Sequence, residues 1–195
     1  NSSNFVTDNS GYSTPLNYPG YTLVWSDEFT GNTLNTNDWN YEIGNGSAGW
    51  GNNELEYYTN NTKNVFVSNG NLIIEARKES ISGFNFTSAR LTTQNKKQFQ
   101  YGRIDIRAKL PKGKGVWPAL WMLGSNINSV PWPGCGEMDI MELLGHEPNK
   151  VYSTMHYGIA AHGSKGNSFS LSSGSFYDQF HVFSMIWEAD KIQVF

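Results

Sequence analysis

The stretch GEMDIMELLG, residues 136–145, places Glu137, Asp139 and Glu142 within six positions of an otherwise apolar segment. In a regular β-strand the side chains alternate between two faces, so Glu137 and Asp139 would share one face and Glu142 would fall on the other. A β-bulge, one extra residue before Glu142, shifts this alternation by one position. The sequence therefore predicts a bulged strand with all three acids on one face. The apolar side chains predicted to turn to the core are Met138, Ile140 and Leu143.

Three acids on one strand face are typical of one kind of chemistry. A retaining glycosidase uses two carboxyl groups about 5–5.5 Å apart, one as the nucleophile and one as the general acid/base. A third acid between them can hydrogen-bond a neighbour and help to separate the two pKa values, because the acid/base must be protonated while the nucleophile is ionised. Two other interpretations stay open: a strand face exposed to solvent, and a metal site built from the three acids.

The composition limits the class of protein. The chain of 195 residues is 14% aromatic and only 16% charged. Together with many Gly, Asn and Ser residues, this is typical of short strands joined by turns and of an aromatic surface for an uncharged, hydroxyl-rich ligand. The net charge of −3 and the lack of a basic cluster argue against a nucleic-acid partner. No apolar run approaches the ~18 residues of a membrane span, and the single cysteine, Cys135, excludes an internal disulfide.

Alternating patterns predict many strands and no long helix. Residues 64–78 form the clearest hairpin, with two strands around Ser-Asn-Gly-Asn. In residues 99–111, apolar positions such as Ile104 alternate with charged ones such as Arg103, which predicts one buried and one solvent-exposed face. Short strands at regular spacing predict an all-β sandwich or jelly roll. Further strands are predicted within residues 88–94, 136–145, 150–158 and 180–195, the last as two strands about a turn at 188–191.

Motifs along most of the chain resemble those of family-16 glycoside hydrolases, in particular the laminarinase-like endo-β-1,3-glucanases. G-E-x-D-I-M-E, starting at Gly136, is similar to the family signature in the form with one extra residue before the last Glu. The resemblance implies a β-jelly roll of two antiparallel sheets whose concave cleft binds a β-glucan and cleaves it with retention. The other motifs follow in the expected order: WSDEF (25–29), NNELEYYT (52–59), NGNLIIEAR (69–77), SARLTT (88–93), residues 101–123 and STMHYG (153–158).

The resemblance implies a role for each residue that matches a motif. Glu137 resembles the nucleophile, Glu142 the acid/base and Asp139 the assisting acid. Trp117 and Trp121 resemble the aromatic platforms of the cleft, since an indole face stacks on the C–H face of a pyranose. Core packing is the alternative for both tryptophans.

Four further residues are expected to contact the substrate. His156 resembles a family residue near the reaction centre, and Arg90 resembles a cleft arginine. Asn53 and Trp50 belong to the GWGNNELEYYT loop, which is expected to edge the subsites. The alternatives are an ordinary hydrogen-bond partner for His156 and a surface ion pair for Arg90. The other three histidines match no motif.

Several family members carry a structural calcium ion bound largely by backbone oxygens, and Glu28 and Gly70 stand at the matching positions. No cofactor is expected for catalysis. Residues 1–20 are expected to be a polar lead-in without the features of a signal peptide, and residues 21–195 the catalytic domain of a secreted, monomeric protein that acts on a β-glucan. The family pattern continues for several strands, so C-terminal strands are expected to be missing after DKIQVF.

Two alternative functions stay open. A hydrolase of a marine galactan such as agar or carrageenan is one; a sulfated galactan would call for basic residues along the cleft, where only Arg90 and Arg103 are candidates. A non-catalytic glycan-binding jelly roll is the other, since a fold does not fix a function. Such a module needs the two tryptophans but has no use for two glutamates at this spacing. The sequence therefore favours the enzyme.

Overall fold

The computed structural model describes residues 7–195, which divide into two compact units. The first unit contains Val24–Gln98 together with Thr7, and the second contains Asp8–Leu23 and Phe99–Phe195. Among the described residues, regular structure is β-strand except for one π-type segment, Gly49–Asn53. No helix within residues 7–195 is long and apolar enough to cross a membrane.

The first unit consists of three two-stranded sheets. β1 pairs with β6 and β3 with β4 in antiparallel fashion, whereas β2 and β5 run parallel. The β3–β4 pair is the predicted hairpin, and its turn residues Asn69 and Gly70 have φ angles of 52° and 70°, which the Asn-Gly pair tolerates. In chain order the strands are β1 (Asn40–Glu42), β2 (Glu56–Tyr58), β3 (Val65–Ser68), β4 (Asn71–Ile74), β5 (Phe86–Ser88) and β6 (Arg90–Thr92).

The second unit contains two antiparallel sheets. Its strands are β7 (Gly102–Ala108), β8 (Ala119–Leu123), β9 (Glu137–Leu143), β10 (Lys150–Tyr157), β11 (Gly163–Ser170), β12 (His181–Trp187) and β13 (Ile192–Val194). One sheet has the order β11-β10-β9-β8 and the other the order β13-β12-β7. Buried apolar side chains from both sheets form one core, which confirms the predicted sandwich in this unit. The buried core residues are Leu110, Ile140, Met141, Leu143, Val151, Phe176, Phe183 and Met185.

Strand β11, which pairs with β10 along its whole length, was not predicted from the sequence. Its residues GSKGNSFS are exposed after the first, because the strand lies at the end of its sheet and packs on no core. A strand in this position needs no apolar alternation, so it leaves no periodic signal in the sequence.

The charged face of β7 is half-buried, so the prediction of a solvent-exposed face is wrong. Arg107 donates hydrogen bonds to the carbonyl oxygens of Asn9 and Tyr12, both at 2.7 Å. The guanidinium of Arg103 lies 4.0 Å from the ring centroid of Tyr18. Residues of the predicted lead-in therefore cover this face, which the alternation inside β7 alone could not reveal.

Candidate active site

An extra residue in β9 places the three acids on one face of its sheet. Opposite β10, Glu142 pairs with Tyr152 and Asp139 with Thr154, so three steps along β9 match two along β10. The ladder with β8 is interrupted at the same place and leaves Ile140 as the extra residue. This confirms the predicted bulge. Ile140 is only 1% exposed and belongs to the core, while the acids project from the opposite face.

Two of the predicted aromatic and polar residues lie on the acid-bearing face. Trp121 of β8 pairs with Asp139, and His156 of β10 pairs with Glu137. Directly paired residues point to the same side of a sheet. Trp121 is therefore no core residue, and Trp117, just before β8, is 46% exposed. Core packing, the alternative for both tryptophans, is wrong.

Asp139 is the most deeply buried of the three acids, at 7% exposure. Burial, the negative charges of Glu137 and Glu142 and a hydrogen bond with Glu137 raise the pKa of Asp139 to about 8. At neutral pH the carboxyl group therefore keeps its proton and donates it in the hydrogen bond to Glu137. Asp139 thus hydrogen-bonds its neighbour, as the sequence predicted.

Glu142 has a pKa above its ordinary value. Burial is the main cause, and the negative charge of Glu137 acts in the same direction. The hydrogen bond from Trp117 and the proximity of His156 oppose the shift without cancelling it. A raised pKa favours the protonated carboxyl group, the form that can donate a proton to a leaving group.

Each glutamate accepts a hydrogen bond from one indole. Trp117 Nε1 lies 2.9 Å from Glu142 Oε1, and Trp132 Nε1 lies 2.5 Å from Glu137 Oε2. Both tryptophans are 46% exposed, so each orients a carboxylate and still presents part of its ring to solvent. Trp132 was not among the residues predicted from the sequence. Its one signal was a tryptophan between two prolines shortly before the acidic strand.

A pair of histidines extends the acidic cluster. His156 Nε2 lies 3.3 Å from Asp139 Oδ2, and His156 Nδ1 lies 2.8 Å from Nε2 of the exposed His162. The two imidazoles stack at a centroid distance of 5.1 Å, and the Trp132 ring lies 4.8 Å from His162. His162 was also missed, because only the turn between β10 and β11 brings it beside His156.

The remaining predicted substrate contacts lie in the first unit. Arg90 Nε forms an ion pair with Glu42 Oε2 at 2.5 Å, and the guanidinium lies 4.6 Å from the Trp50 ring centroid. The ion pair considered as the alternative for Arg90 is thus present, together with stacking on Trp50. Asn53 is exposed at the end of the same irregular segment as Trp50, and both have positive φ angles. The contact of all three with substrate stays a prediction.

Metal binding finds limited support. Within residues 7–195, no group of three or more His, Cys, Asp or Glu side chains is arranged to hold a metal ion, so the three acids of β9 are no such site. Glu28 and Gly70 both lie in exposed parts of the first unit. A calcium ion held by backbone oxygens would not require a cluster of acidic side chains, and this calcium stays a prediction.

Replacing Asp139 by Asn tests its raised pKa through stability. The folded chain keeps a proton on Asp139 that the unfolded chain loses above pH ~4, so this residue makes the free energy of unfolding fall as pH rises towards about 8. Relative to wild type, Asp139→Asn should gain at least about 1 kcal/mol between pH 5 and pH 8, the equivalent of one pKa unit. Urea unfolding at both pH values measures this gain. Asp190→Asn, in an exposed turn, is the control; an equal difference at the two pH values would contradict the protonated state.

The chain is similar to known proteins both in sequence and in structure. Residues 52–195 match the model of glycosyl hydrolases family 16. The structure is similar to the laminarinase catalytic domain from Thermotoga maritima MSB8, with a TM-score of 0.84 and 53% identity over 89% of this chain and 73% of that chain. Together with the sandwich described above, this likeness confirms the predicted all-β jelly-roll fold.

Two relatives are similar at the level of sequence. Glucan endo-1,3-β-glucosidase A1 from Niallia circulans is 43% identical over 190 residues, which cover 89% of this chain and 28% of that protein. The β-glucanase from Rhodothermus marinus is 42% identical over 184 residues, which cover 91% of this chain and 63% of that protein. The chain therefore spans less than two thirds of the length of both relatives.

Proposed function

The chain belongs to glycosyl hydrolase family 16, and we propose that it hydrolyses internal bonds of a laminarin-type β-1,3-glucan with retention of configuration. One observation carries the proposal: Glu137, Asp139 and Glu142 share one sheet face through the bulge at Ile140. The names of the laminarinase and the glucan endo-1,3-β-glucosidase to which the chain is similar support this substrate.

In the first step, Glu137 attacks the anomeric carbon and Glu142 gives its proton to the glycosidic oxygen. The bond from that carbon to the leaving sugar breaks, and a covalent ester of the glycan with Glu137 forms. The raised pKa of Glu142 favours the protonated form that this step requires. The hydrogen bond from Asp139 and that from Trp132 hold the Glu137 carboxylate in one orientation for attack.

In the second step, Glu142, now ionised, takes a proton from water as the water oxygen attacks the anomeric carbon. The ester bond breaks and Glu137 leaves as a carboxylate, so two inversions give net retention. Negative charge returns to Glu137 in this step. The proton of Asp139 and the N–H of Trp132 both point at that charge and stabilise it as it develops.

Aromatic faces suit a neutral substrate. Trp117, Trp121 and Trp132 surround the three acids, and a glucan offers C–H faces for stacking and no charge for an ion pair. The sulfated-galactan alternative is weakened by Arg103, which pairs with Asp105 at 3.0 Å and lies against Tyr18. The glycan-binding alternative is weakened by the two glutamates, which binding alone does not need.

Trp117 is expected to act both as a stacking platform and as a hydrogen-bond donor, and two substitutions separate these roles. Trp117→Ala should weaken binding of a laminari-oligosaccharide by about 1–3 kcal/mol, by analogy with the loss of a base–aromatic stack. Trp117→Phe keeps an aromatic face without the N–H, so it should retain most of the affinity. Calorimetry in the catalytically inactive Glu137→Gln background measures both. Equal affinity of the Ala variant and its parent would remove Trp117 from the binding surface.

The function is tested by incubating the chain with laminarin, lichenan, agarose and carrageenan and following reducing ends over time. We expect the fastest release from laminarin, with oligosaccharides of several lengths early in the reaction, as internal cleavage requires. Proton NMR of the first products should show the β-anomer before mutarotation. Release only from agarose or carrageenan would favour a galactanase, and binding without release would favour a glycan-binding module.

The size of the substrate indicates where the reaction takes place. We propose that the protein is secreted, because a polysaccharide is too large to enter a cell, and that it acts as a monomer without a catalytic cofactor. A structural calcium ion at Glu28 and Gly70 belongs to the same proposal, supported by the oxygen ligands that these positions offer.

A further inference from the structure

A continuous chain of polar contacts runs from solvent to the buried acid of the site. His162 is exposed, the His156 side chain is 23% exposed and the Asp139 side chain 7%. The contacts are 2.8 Å between the two histidines and 3.3 Å from His156 to Asp139, and Asp139 hydrogen-bonds Glu137. His162 therefore stands at the outer end of a path that leads to the nucleophile.

The groups that face the two ring nitrogens of His156 indicate the order of donors along this path. Nε2 of His156 lies 3.3 Å from a carboxyl oxygen of Asp139, a polar contact in which an N–H on Nε2 meets an acceptor. This contact favours the tautomer of His156 that carries its proton on Nε2. In the neutral imidazole this leaves Nδ1 as an acceptor, which faces Nε2 of His162. The group that can donate a hydrogen bond to Nδ1 of His156 is the Nε2–H of His162.

We propose that His162 is a positioning residue that holds His156 in the Nε2–H tautomer, so that every donor in the path points towards Glu137. The inference rests on the proposed function, since it concerns the same site, but the hydrogen-bond order itself exists without substrate. Trp132 and the stacked imidazoles restrict rotation of the two rings, which keeps the donor of His162 aimed at His156.

Loss of His162 would release this constraint. The Nδ1 atom of His156 would lose its donor and face solvent, where the Nδ1–H tautomer becomes accessible. In that tautomer Nε2 is an acceptor and competes with Glu137 for the proton of Asp139. The nucleophile would lose the hydrogen bond that stabilises it when the ester breaks, while the indole faces that bind the sugar would be untouched.

Three variants test the proposal. His162→Phe keeps a ring against His156 and Trp132 but has no donor, whereas His162→Gln keeps an N–H donor. His146→Phe removes an exposed histidine of the same unit and is the matched control. Near-ultraviolet circular dichroism establishes that each variant keeps the wild-type packing.

The tautomer is read directly by ¹⁵N NMR of the imidazoles in the substrate-free chain. We expect the unprotonated, pyridine-type nitrogen of His156 to be Nδ1 in wild type, His162→Gln and His146→Phe. His162→Phe should show a mixture of tautomers or a reversal. A cationic His156 in wild type, or an unchanged Nδ1 signal in His162→Phe, would overturn the proposal.

The kinetic consequence is a split between kcat and KM on laminarin. His162→Phe should lower kcat by about 10- to 100-fold, by analogy with the loss when the partner that orients a metal-binding histidine is removed. KM should change little, and His162→Gln should recover most of kcat. Equal kcat in His162→Phe and wild type would overturn the positioning role. A wild-type chain inactive on every glucan would overturn the proposed function instead, and the NMR result would still decide the tautomer.

Discussion

Replacing Glu137 by Gln is expected to lower kcat on laminarin by at least ~10⁴-fold while leaving the affinity for laminari-oligosaccharides nearly intact. The substitution removes the attacking oxygen anion but keeps the shape of the side chain and a group that can bond to Trp132 and Asp139. The tryptophans around the site are unchanged, so stacking persists. Reducing-end assays give kcat, and calorimetry with laminaritetraose gives the dissociation constant.

The matched control is Glu188→Gln, in the exposed turn between β12 and β13, where the glutamate pairs only with the nearby Lys191 among the contacts seen in the structure. It should have wild-type kcat. Parallel loss of binding and turnover in Glu137→Gln would assign Glu137 a structural role. Turnover close to that of wild type would exclude it as the nucleophile.

Replacing Glu142 by Ala is expected to lower kcat on laminarin by about 10²–10⁴-fold, the usual contribution of general acid–base catalysis. An aryl β-glucoside with a good leaving group needs no proton for the first step, so its glycosyl ester should still form and accumulate. Azide can then replace the activated water. It should restore turnover of the aryl glycoside and yield a β-glycosyl azide, because it attacks the ester on Glu137 from the β-face.

Glu137→Ala is expected to give the opposite anomer of the azide product from that given by Glu142→Ala. Without the nucleophile, azide fills the vacated space below the sugar ring and attacks the starting glycoside directly, which gives the α-glycosyl azide. NMR of the isolated products distinguishes the two anomers. The α-azide from Glu142→Ala, or the β-azide from Glu137→Ala, would contradict the assignment of the two glutamates.

The bulge could be predicted because two local patterns conflict. The apolar residues around the acids require a buried face, and strict alternation would have put one glutamate into it; a single extra residue removes the conflict, and the structure has it at Ile140. The hairpin of β3 and β4 could be predicted for a similar reason, since Asn69-Gly70 accepts the positive φ angles of its turn. Both features depend on residues that are close in sequence.

The features that could not be predicted from the sequence depend on contacts between residues distant in the chain or on the direction of a side chain. Trp132 acts through one N–H to Glu137, and His162 acts through its contact with His156 across a turn. Neither has a periodic or spaced pattern. The covered face of β7 follows from Arg107 bonding to Asn9 and Tyr12, more than 90 positions earlier in the chain. The N–H of Trp117 on Glu142 likewise adds to the stacking role that its motif predicted.

The central claim is that Glu137, aligned with Glu142 by the bulged strand, attacks the sugar. A 2-deoxy-2-fluoro-β-laminaribioside with a good leaving group tests it most directly, because the fluorine slows hydrolysis of the ester and lets it accumulate. Mass spectrometry of the digested protein should find one sugar label, on the peptide that contains Glu137, and Glu137→Gln should remain unlabelled. A label on another residue would contradict the claim. So would a wild-type protein that is fully inactivated by the reagent but carries no label.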